Sequence, residues 1–227
     1  MEIFGHRGAA GLVAENTLAG FWRAAELGCH GIECDVRAVE GRLAVLHDAT
    51  VDRTTDGHGT LAALGAAGLR RLDTGVGPVP WVAEVLPLMA EYPGLVWNLE
   101  LKDLAAAPLL IKEMETWPKA IRRRALVSSF LRDALEPWIG TGVALARLAE
   151  ELTSALVDDA LRLGCCAAHL GLARLRPDAV ASARRAGLVV RVYTVNDPAT
   201  AQRLAGLGVQ GVFTDRPDLL LDVGSGL

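Results

Sequence analysis

Apolar positions along the chain form short runs that alternate with longer amphipathic segments. The short runs have the length of buried strands, as in Ile3–His6 and Gly211–Thr214. The longer segments have helical spacing, and some carry helix-start signals such as Asp197 before Pro198. Regular alternation of this kind predicts repeated βα units built around a parallel sheet.

Eight main strands are predicted over the length of the chain. They are Ile3–His6, Gly31–Val36, Leu95–Leu101, Ala125–Ser128, Val143–Ala146, Cys166–Leu170, Leu188–Val195 and Gly211–Thr214. Eight units in 227 residues predict an α/β fold, a single (β/α)₈ TIM-barrel domain over residues 1–227. An open α/β sheet is the alternative architecture. Leu43–Leu46 is a short extra strand or an extension, and residues 48–80 break the alternation as a small insertion after the second strand.

Composition narrows the class of protein. Hydrophobic residues make up 51% of the chain and the net charge is −4, so we expect neither nucleic-acid binding nor stable membrane association. The N-terminus resembles no signal peptide, and the four cysteines form no CxxC pair. We therefore expect a cytoplasmic protein. The sequence leaves the oligomeric state open, a homo-oligomer included.

Carboxylates are concentrated on two predicted strands. Alternation places Glu33 and Asp35 on one side of the second strand, and Asn98, Glu100 and Lys102 on one side of the third. Carboxylates that face a barrel interior need a cation to neutralise them. Glu33, Asp35 and Glu100 therefore form a candidate all-oxygen site for one divalent cation, Mg²⁺ or Ca²⁺.

Basic side chains and histidines also stand at the ends of predicted strands. Arg7 and Lys102 are candidate donors to a phosphate, and His6 and His47 are candidate acid and base catalysts because imidazole titrates near neutral pH. Two other interpretations stay open. Lys102 could be the nucleophile of a Schiff-base aldolase, or the barrel could bind a phosphorylated metabolite without turning it over.

The chain resembles the glycerophosphodiester phosphodiesterase family through a series of motifs in family order. They are His6-Arg7-Gly8, Glu15-Asn16-Thr17, Glu33-x-Asp35, His47-Asp48, Asp52-Arg53-Thr54-Thr55, Glu100-x-Lys102, Val127-Ser128-Ser129-Phe130, Thr194-Val195-Asn196 and Thr214-Asp215-Arg216-Pro217. The resemblance covers nearly the whole chain. It implies a barrel with a small insertion and cleavage of a small glycerophosphodiester to glycerol 3-phosphate and an alcohol, with a lysophospholipase D-like phosphodiesterase as the nearest alternative.

The resemblance also implies roles for single residues. Metal ligands fall on Glu33, Asp35 and Glu100, acid and base on His6 and His47, and phosphate-binding cations on Arg7 and Lys102. Asn16 matches a polar position near the substrate or one that holds the loop after the first strand. Tyr193 stands where the family often has Trp, so it is expected to border the substrate. The attacking group, water or a neighbouring glycerol hydroxyl, stays open.

Two further features have structural alternatives. His169, at the end of the sixth barrel strand, could line the pocket, but the favoured interpretation is that it caps the strand. The basic run Arg122-Arg123-Arg124 precedes the fourth barrel strand and is expected in a solvated turn.

Overall fold

Nine strands and ten α-helices lie within residues 1–224, the part of the chain that the computed structural model describes. The strands are β1 (Glu2–Gly5), β2 (Gly31–Val39), β3 (Arg42–Val45), β4 (Val96–Leu101), β5 (Ala125–Ser129), β6 (Ala144–Ala149), β7 (Ala167–Gly171), β8 (Val189–Tyr193) and β9 (Gly211–Thr214). The α-helices are α1 (Leu18–Glu26), α2 (Leu61–Leu69), α3 (Leu86–Glu91), α4 (Ala106–Glu115), α5 (Lys119–Arg122), α6 (Arg132–Leu135), α7 (Ser154–Arg162), α8 (Pro177–Arg185), α9 (Pro198–Gly206) and α10 (Pro217–Gly224).

Eight of these strands close into a parallel barrel in the order β1-β2-β4-β5-β6-β7-β8-β9, and β9 pairs again with β1. Helices connect successive strands, so the (β/α)₈ TIM barrel predicted from the alternation is confirmed and the open sheet is wrong. The ninth strand, β3, pairs antiparallel with β2 and forms a hairpin at the barrel edge. Within residues 1–224, no helix is both long and apolar enough to cross a bilayer.

Local sequence explains where several helices begin. The side chain of Thr17 accepts a hydrogen bond from the amide of Gly20 at the start of α1, and Asp197 does the same for Thr200 at the start of α9. The segment after β5 divides into α6 and a 3₁₀ turn, Glu136–Trp138, because Pro137 cannot donate the hydrogen bond that would continue the α-helix.

Most of the apolar core lies between the strands and the surrounding helices. The barrel interior holds fewer apolar groups, among them Phe4, whose ring packs against Phe213 at 5.2 Å and lies under the guanidinium of Arg191. Gly31 sits opposite Phe4, where a Cβ atom would lie 2.3 Å from the ring. Glycine is therefore required at this strand position.

The segment between β3 and β4 contains α2 and has a small apolar cluster of its own. Its buried members include Val51, Leu61, Leu69 and Trp81. The basic run before β5 differs from the prediction at one residue. Arg124 is half-buried and donates to the backbone carbonyls of residues 89, 92, 95 and 120, and so secures the end of α3.

Candidate active site

A cavity of about 200 Å³ opens at the C-terminal ends of the barrel strands. This is the end where enzymes with this fold carry their catalytic groups. Fourteen residues line the cavity, and they include most of the candidates from the sequence: His6, Arg7, Glu33, His47, Asn98, Glu100, Lys102, Phe130, Leu148, Glu150, His169, Tyr193, Thr194 and Phe213. The structure therefore brings together side chains that are as far apart in sequence as His6 and Phe213.

Three carboxylates converge at one side of the cavity. Glu33 and Asp35 extend from β2, and the register pairs Asp35 with Glu100 on β4. Each of the three offers an oxygen, and these oxygens lie within 4.8 Å of one another. All three residues are buried. This geometry requires positive charge nearby, because like charges at such a separation repel one another strongly in a low-dielectric interior.

Positive charge comes partly from the two cations predicted at the strand ends. Lys102 Nζ lies 2.6 Å from Glu100 Oε1 and 3.4 Å from Asp35 Oδ1, and Arg7 Nε lies 3.2 Å from Asp35 Oδ2. Although burial raises the pKa of Asp35, the charges of Arg7 and Lys102 lower it below its ordinary value. Asp35 is therefore held in its ionised form, and both cations balance its charge.

The negative charge of Glu33 is balanced less well than that of Asp35. Its Oε2 accepts the backbone amide of Arg7 at 2.8 Å, but its Oε1 is buried and has no hydrogen-bond partner among residues 1–224. Burial and the charge of Asp35 raise the pKa of Glu33 to about 8. A buried carboxylate oxygen without a partner is costly, so the position of Glu33 fits a ligand that is itself positive. Three oxygen donors of this kind suit Mg²⁺ or Ca²⁺.

His6 is held by an aspartate from the far end of the chain. Its Nδ1 lies 2.7 Å from Asp215 Oδ1, and Asp215 Oδ2 in turn accepts from Asn196 Nδ2 at 2.9 Å. Burial lowers the pKa of His6, but the hydrogen bond to Asp215 and the charge of Glu33 outweigh that effect and raise it above its ordinary value. Pairing at Nδ1 leaves Nε2 to act on a substrate.

His47 has a corresponding partner, its neighbour Asp48, at 2.6 Å from Nδ1. Asp48 also accepts from Arg53 Nε at 2.7 Å, and this hydrogen bond, followed by that of His47, lowers the pKa of Asp48 to about 2. Burial lowers the pKa of His47 below its ordinary value. The negative charge of Asp35 acts in the opposite direction but offsets the effect of burial only in part. The two histidines therefore have pKa values displaced in opposite directions.

Arg53 lies in the segment that follows β3 and connects it to the loop after β1. Its two terminal nitrogens donate to Glu15 at 2.7 and 2.8 Å, and Glu15 also accepts from Arg7 at 2.8 Å. The insertion thereby holds the partner of His47 and a partner of Arg7 in one network. Sequence reasoning assigned no role to Asp48, Asp215 or Asn196, although each stands in a motif at a strand end.

Asn16 and Tyr193 occupy different surroundings. Asn16 is buried, and its amide donates to Asp35 Oδ2 at 2.8 Å and accepts from the Asp35 amide at 3.2 Å. Both ends of its amide are thus engaged with Asp35, and the geometry favours positioning of that carboxylate over contact with a substrate. Tyr193 lines the cavity with its ring edge-on to Phe130 at 6.0 Å, and its hydroxyl donates to the carbonyl of Ala149.

The surroundings of His169 and Lys102 differ from two of the interpretations of the sequence. His169 lines the cavity and does not cap its strand, because it lies in the middle of β7 and points to the barrel interior against Phe213.

Burial lowers the pKa of Lys102, but Glu100 and Asp35 outweigh burial and raise it. A Schiff-base lysine needs a depressed pKa, so the surroundings of Lys102 argue against the aldolase interpretation.

Comparison with known protein families defines the class of this TIM barrel. The sequence model of the glycerophosphoryl diester phosphodiesterase family matches residues 6–136 and 132–219. The protein is therefore a phosphoric diester hydrolase on a TIM barrel. The chain belongs to this family, which confirms the resemblance seen in its motifs.

Relatives and solved structures agree over nearly the full length. A glycerophosphodiester phosphodiesterase of Caldanaerobacter subterraneus subsp. tengcongensis is 31% identical over 97% of this chain and 96% of its own. The relative from Bacillus altitudinis with the same name is 30% identical over 96% and 95%. The structure of an Oleispira antarctica phosphodiesterase in complex with the product sn-glycerol-3-phosphate superimposes with a TM-score of 0.92 at 26% identity, over 100% of this chain and 97% of that one.

Proposed function

We propose that this protein hydrolyses small glycerophosphodiesters to glycerol 3-phosphate and an alcohol, with one divalent cation and with His6 and His47 as acid and base. The observation that carries the proposal is the convergence of Glu33, Asp35 and Glu100 beside both histidines in one cavity. Family membership and the product seen in the Oleispira antarctica structure support the same chemistry.

Glu33, Asp35 and Glu100 would hold the cation, because each offers an oxygen to the same point and Glu33 Oε1 has no partner among the described residues. A bound Mg²⁺ or Ca²⁺ supplies positive charge that polarises a phosphoryl oxygen. Asn16 fixes the orientation of Asp35 through both ends of its amide. Residues that orient a ligand in this way affect metal affinity strongly.

Arg7 and Lys102 bind the substrate phosphate and neutralise its non-bridging oxygens. Both cations are half-buried at the cavity wall, where a hydrogen bond to phosphate is less exposed to water. One histidine takes the proton of the attacking hydroxyl, and the other protonates the leaving alkoxide. Asp215 and Asp48 hold each imidazole through Nδ1, so that Nε2 exchanges the proton in both cases.

Residues 1–227 form a single phosphodiesterase domain in this proposal, because Arg53 of the insertion supports the same site as the barrel strands. The cytoplasmic location stays a prediction from the sequence.

Release of glycerol 3-phosphate from a panel of glycerophosphodiesters tests the proposal. We expect turnover by the wild-type protein, loss of turnover with a chelator, and recovery with Mg²⁺ or Ca²⁺. His6→Ala and His47→Ala should each lower kcat by ~10²–10⁴, the usual contribution of a positioned acid or base. The double variant should lose little more than either single one, because the two groups act in one step.

His58 offers a matched control, because it is an exposed histidine of the insertion whose side chain is 88% accessible. His58→Ala should leave kcat unchanged. Full activity of either site variant would remove that histidine from the mechanism, and activity that is indifferent to chelation would remove the metal. Tight binding of glycerol 3-phosphate without turnover of any diester would instead favour a phosphometabolite-binding barrel.

A further inference from the structure

The floor of the cavity holds two uncharged polar side chains that the proposed mechanism does not use. His169 and Asn98 both line the cavity, and each is only 1% exposed. Neither ring nitrogen of His169 has a hydrogen-bond partner within the part of the chain that the structure describes. The same holds for Asn98 Oδ1, although Asn98 Nδ2 donates to Ser128 Oγ at 3.1 Å. Both residues thus line the cavity and carry polar atoms whose hydrogen-bonding capacity is unused.

Unpaired polar groups at this depth need an explanation. The large majority of buried polar atoms in folded proteins have a partner in the protein, in ordered water or in a ligand, because an unpaired one costs stability. His169 packs edge-on against the ring of Phe213 at a centroid distance of 4.8 Å, so its apolar faces are supported. Its two ring nitrogens have no partner among the described residues, and a molecule bound in the cavity that His169 lines could supply one.

The charge state of these groups indicates what the partner is. Burial, together with the charge of Arg191, lowers the pKa of His169 well below its ordinary value, so the imidazole is neutral. A neutral imidazole has one donor and one acceptor, and Asn98 Oδ1 is an acceptor. An alcohol hydroxyl both donates and accepts, and so suits this pair, whereas phosphate oxygens only accept.

The depth of Asn98 and His169 in the cavity indicates which of the two alcohol groups of a diester they contact. Arg7 and Lys102, the proposed phosphate ligands, are half-buried, whereas Asn98 and His169 are fully buried and so lie deeper. In a series of glycerophosphodiesters the glycerol group is constant and small, whereas the other alcohol varies in size and needs the open side of the cavity. The glycerol group is therefore the one assigned to the floor, since a cavity of about 200 Å³ accepts only a small group there.

We infer that Asn98 and His169 form a subsite that hydrogen-bonds the terminal hydroxyl of the substrate's glycerol group. This inference rests on the proposed function and deepens it, because it assigns the recognition of glycerol to two residues outside the acid, base, metal and phosphate sets. The subsite selects by the cost of leaving its buried polar groups unpaired when the hydroxyl is missing.

The direct test compares two diesters that differ by this hydroxyl alone. One carries glycerol, and the other carries 1,2-propanediol attached through its primary oxygen, which keeps the hydroxyl next to the phosphate ester and lacks the terminal one. We expect kcat/KM of the wild-type enzyme to be about 10- to 100-fold higher for the glycerol diester. Equal values for the two diesters would overturn the inference without any variant.

Variants then assign the selectivity to residues. His169→Phe and Asn98→Leu should each lower kcat/KM for the glycerol diester while affecting the propanediol diester much less, so that the preference shrinks. His169→Gln, which restores a donor and an acceptor, should recover part of the preference. Leu148→Val, an apolar change in the same cavity, should alter both substrates by the same factor and keep their ratio.

The outcomes separate this inference from the proposed function. A wild-type preference that persists undiminished in His169→Phe and Asn98→Leu would mean that these groups bind only buried water, and would overturn the subsite while the hydrolase remains. Absence of turnover of both diesters by the wild-type enzyme would overturn the proposed function and the subsite with it.

Discussion

The hydrogen bond between Asp215 and His6 provides the sharpest test of the proposed mechanism. Asp215 Oδ1 lies 2.7 Å from His6 Nδ1, and its other oxygen and its backbone amide are both bound by the side chain of Asn196, at 2.9 and 2.8 Å. Asp215→Asn preserves the size of the side chain and removes its charge. The substitution therefore tests the electrostatic and orienting effect of Asp215 with little change in packing.

The expected decrease in kcat of Asp215→Asn follows from the kind of hydrogen bond that the substitution removes. A hydrogen bond to a charged group contributes about 1.5–3 kcal/mol and a neutral one about 0.5–1.5 kcal/mol, so the difference is about 1–1.5 kcal/mol. A difference of this size corresponds to roughly 5- to 13-fold in rate. An asparagine can also present its amide nitrogen to Nδ1 and so favour the tautomer that carries the proton on Nε2. We therefore expect kcat to fall by about 10- to 100-fold.

The pH profile of kcat supplies a second measurement. The negative charge of Asp215 stabilises the imidazolium form of His6 and contributes to its raised pKa. Removing that charge lowers the pKa of His6, because the protonated form loses its partner. The limb of the profile that belongs to His6 should therefore move to lower pH, whether His6 is the acid or the base.

Asp178→Asn is the matched control, because Asp178 is an exposed aspartate paired with Arg176 on the surface at α8. It should change neither kcat nor the pH profile. An unaltered kcat in Asp215→Asn, or a limb that moves to higher pH, would refute the role assigned to Asp215. Unchanged circular dichroism and thermal midpoint should accompany the loss of activity, since a folding defect would otherwise explain it.

Two further predictions concern metal affinity and stability. Asn16 has a positive φ of 56°, which glycine also tolerates, so Asn16→Gly removes the amide that orients Asp35 without straining the backbone. The substitution should weaken Mg²⁺ binding by about 10- to 100-fold in a calorimetric titration. An unchanged affinity would contradict the positioning role of Asn16. Arg124→Met removes four hydrogen bonds to backbone carbonyls and should lower the free energy of unfolding in urea by about 2–3 kcal/mol. Arg123→Met, at an exposed neighbour, should change that free energy little. Equal effects of the two substitutions would contradict the structural role of Arg124.

The sequence by itself determined the repeating architecture and the grouping of the carboxylates. Strand side chains alternate with a period of two, so Glu33 and Asp35 had to share a face with each other, as did Asn98, Glu100 and Lys102. Parallel strands that follow one another tend to be neighbours in space. Local pattern and chain order were therefore enough to predict that these groups meet at one end of a barrel.

Contacts between distant parts of the chain were decided only by the tertiary structure. Asp215 meets His6 across 209 positions of sequence, because β9 pairs with β1 when the barrel closes. Arg53 reaches Glu15 across 38 positions, because the insertion folds over the loop that follows β1. No periodicity encodes such contacts, since they depend on closure of the sheet and on the conformation of long loops.

His169 shows the same limit for a single residue. Its sequence position was compatible both with a strand cap and with the cavity, and the difference between them is one step of strand register. The structure places His169 in the middle of β7, paired with Leu148 and Arg191, where an inward side chain reaches the cavity floor. Register is set by the packing of all eight strands around a shared interior, and so the chemistry of the floor becomes visible only in the folded barrel.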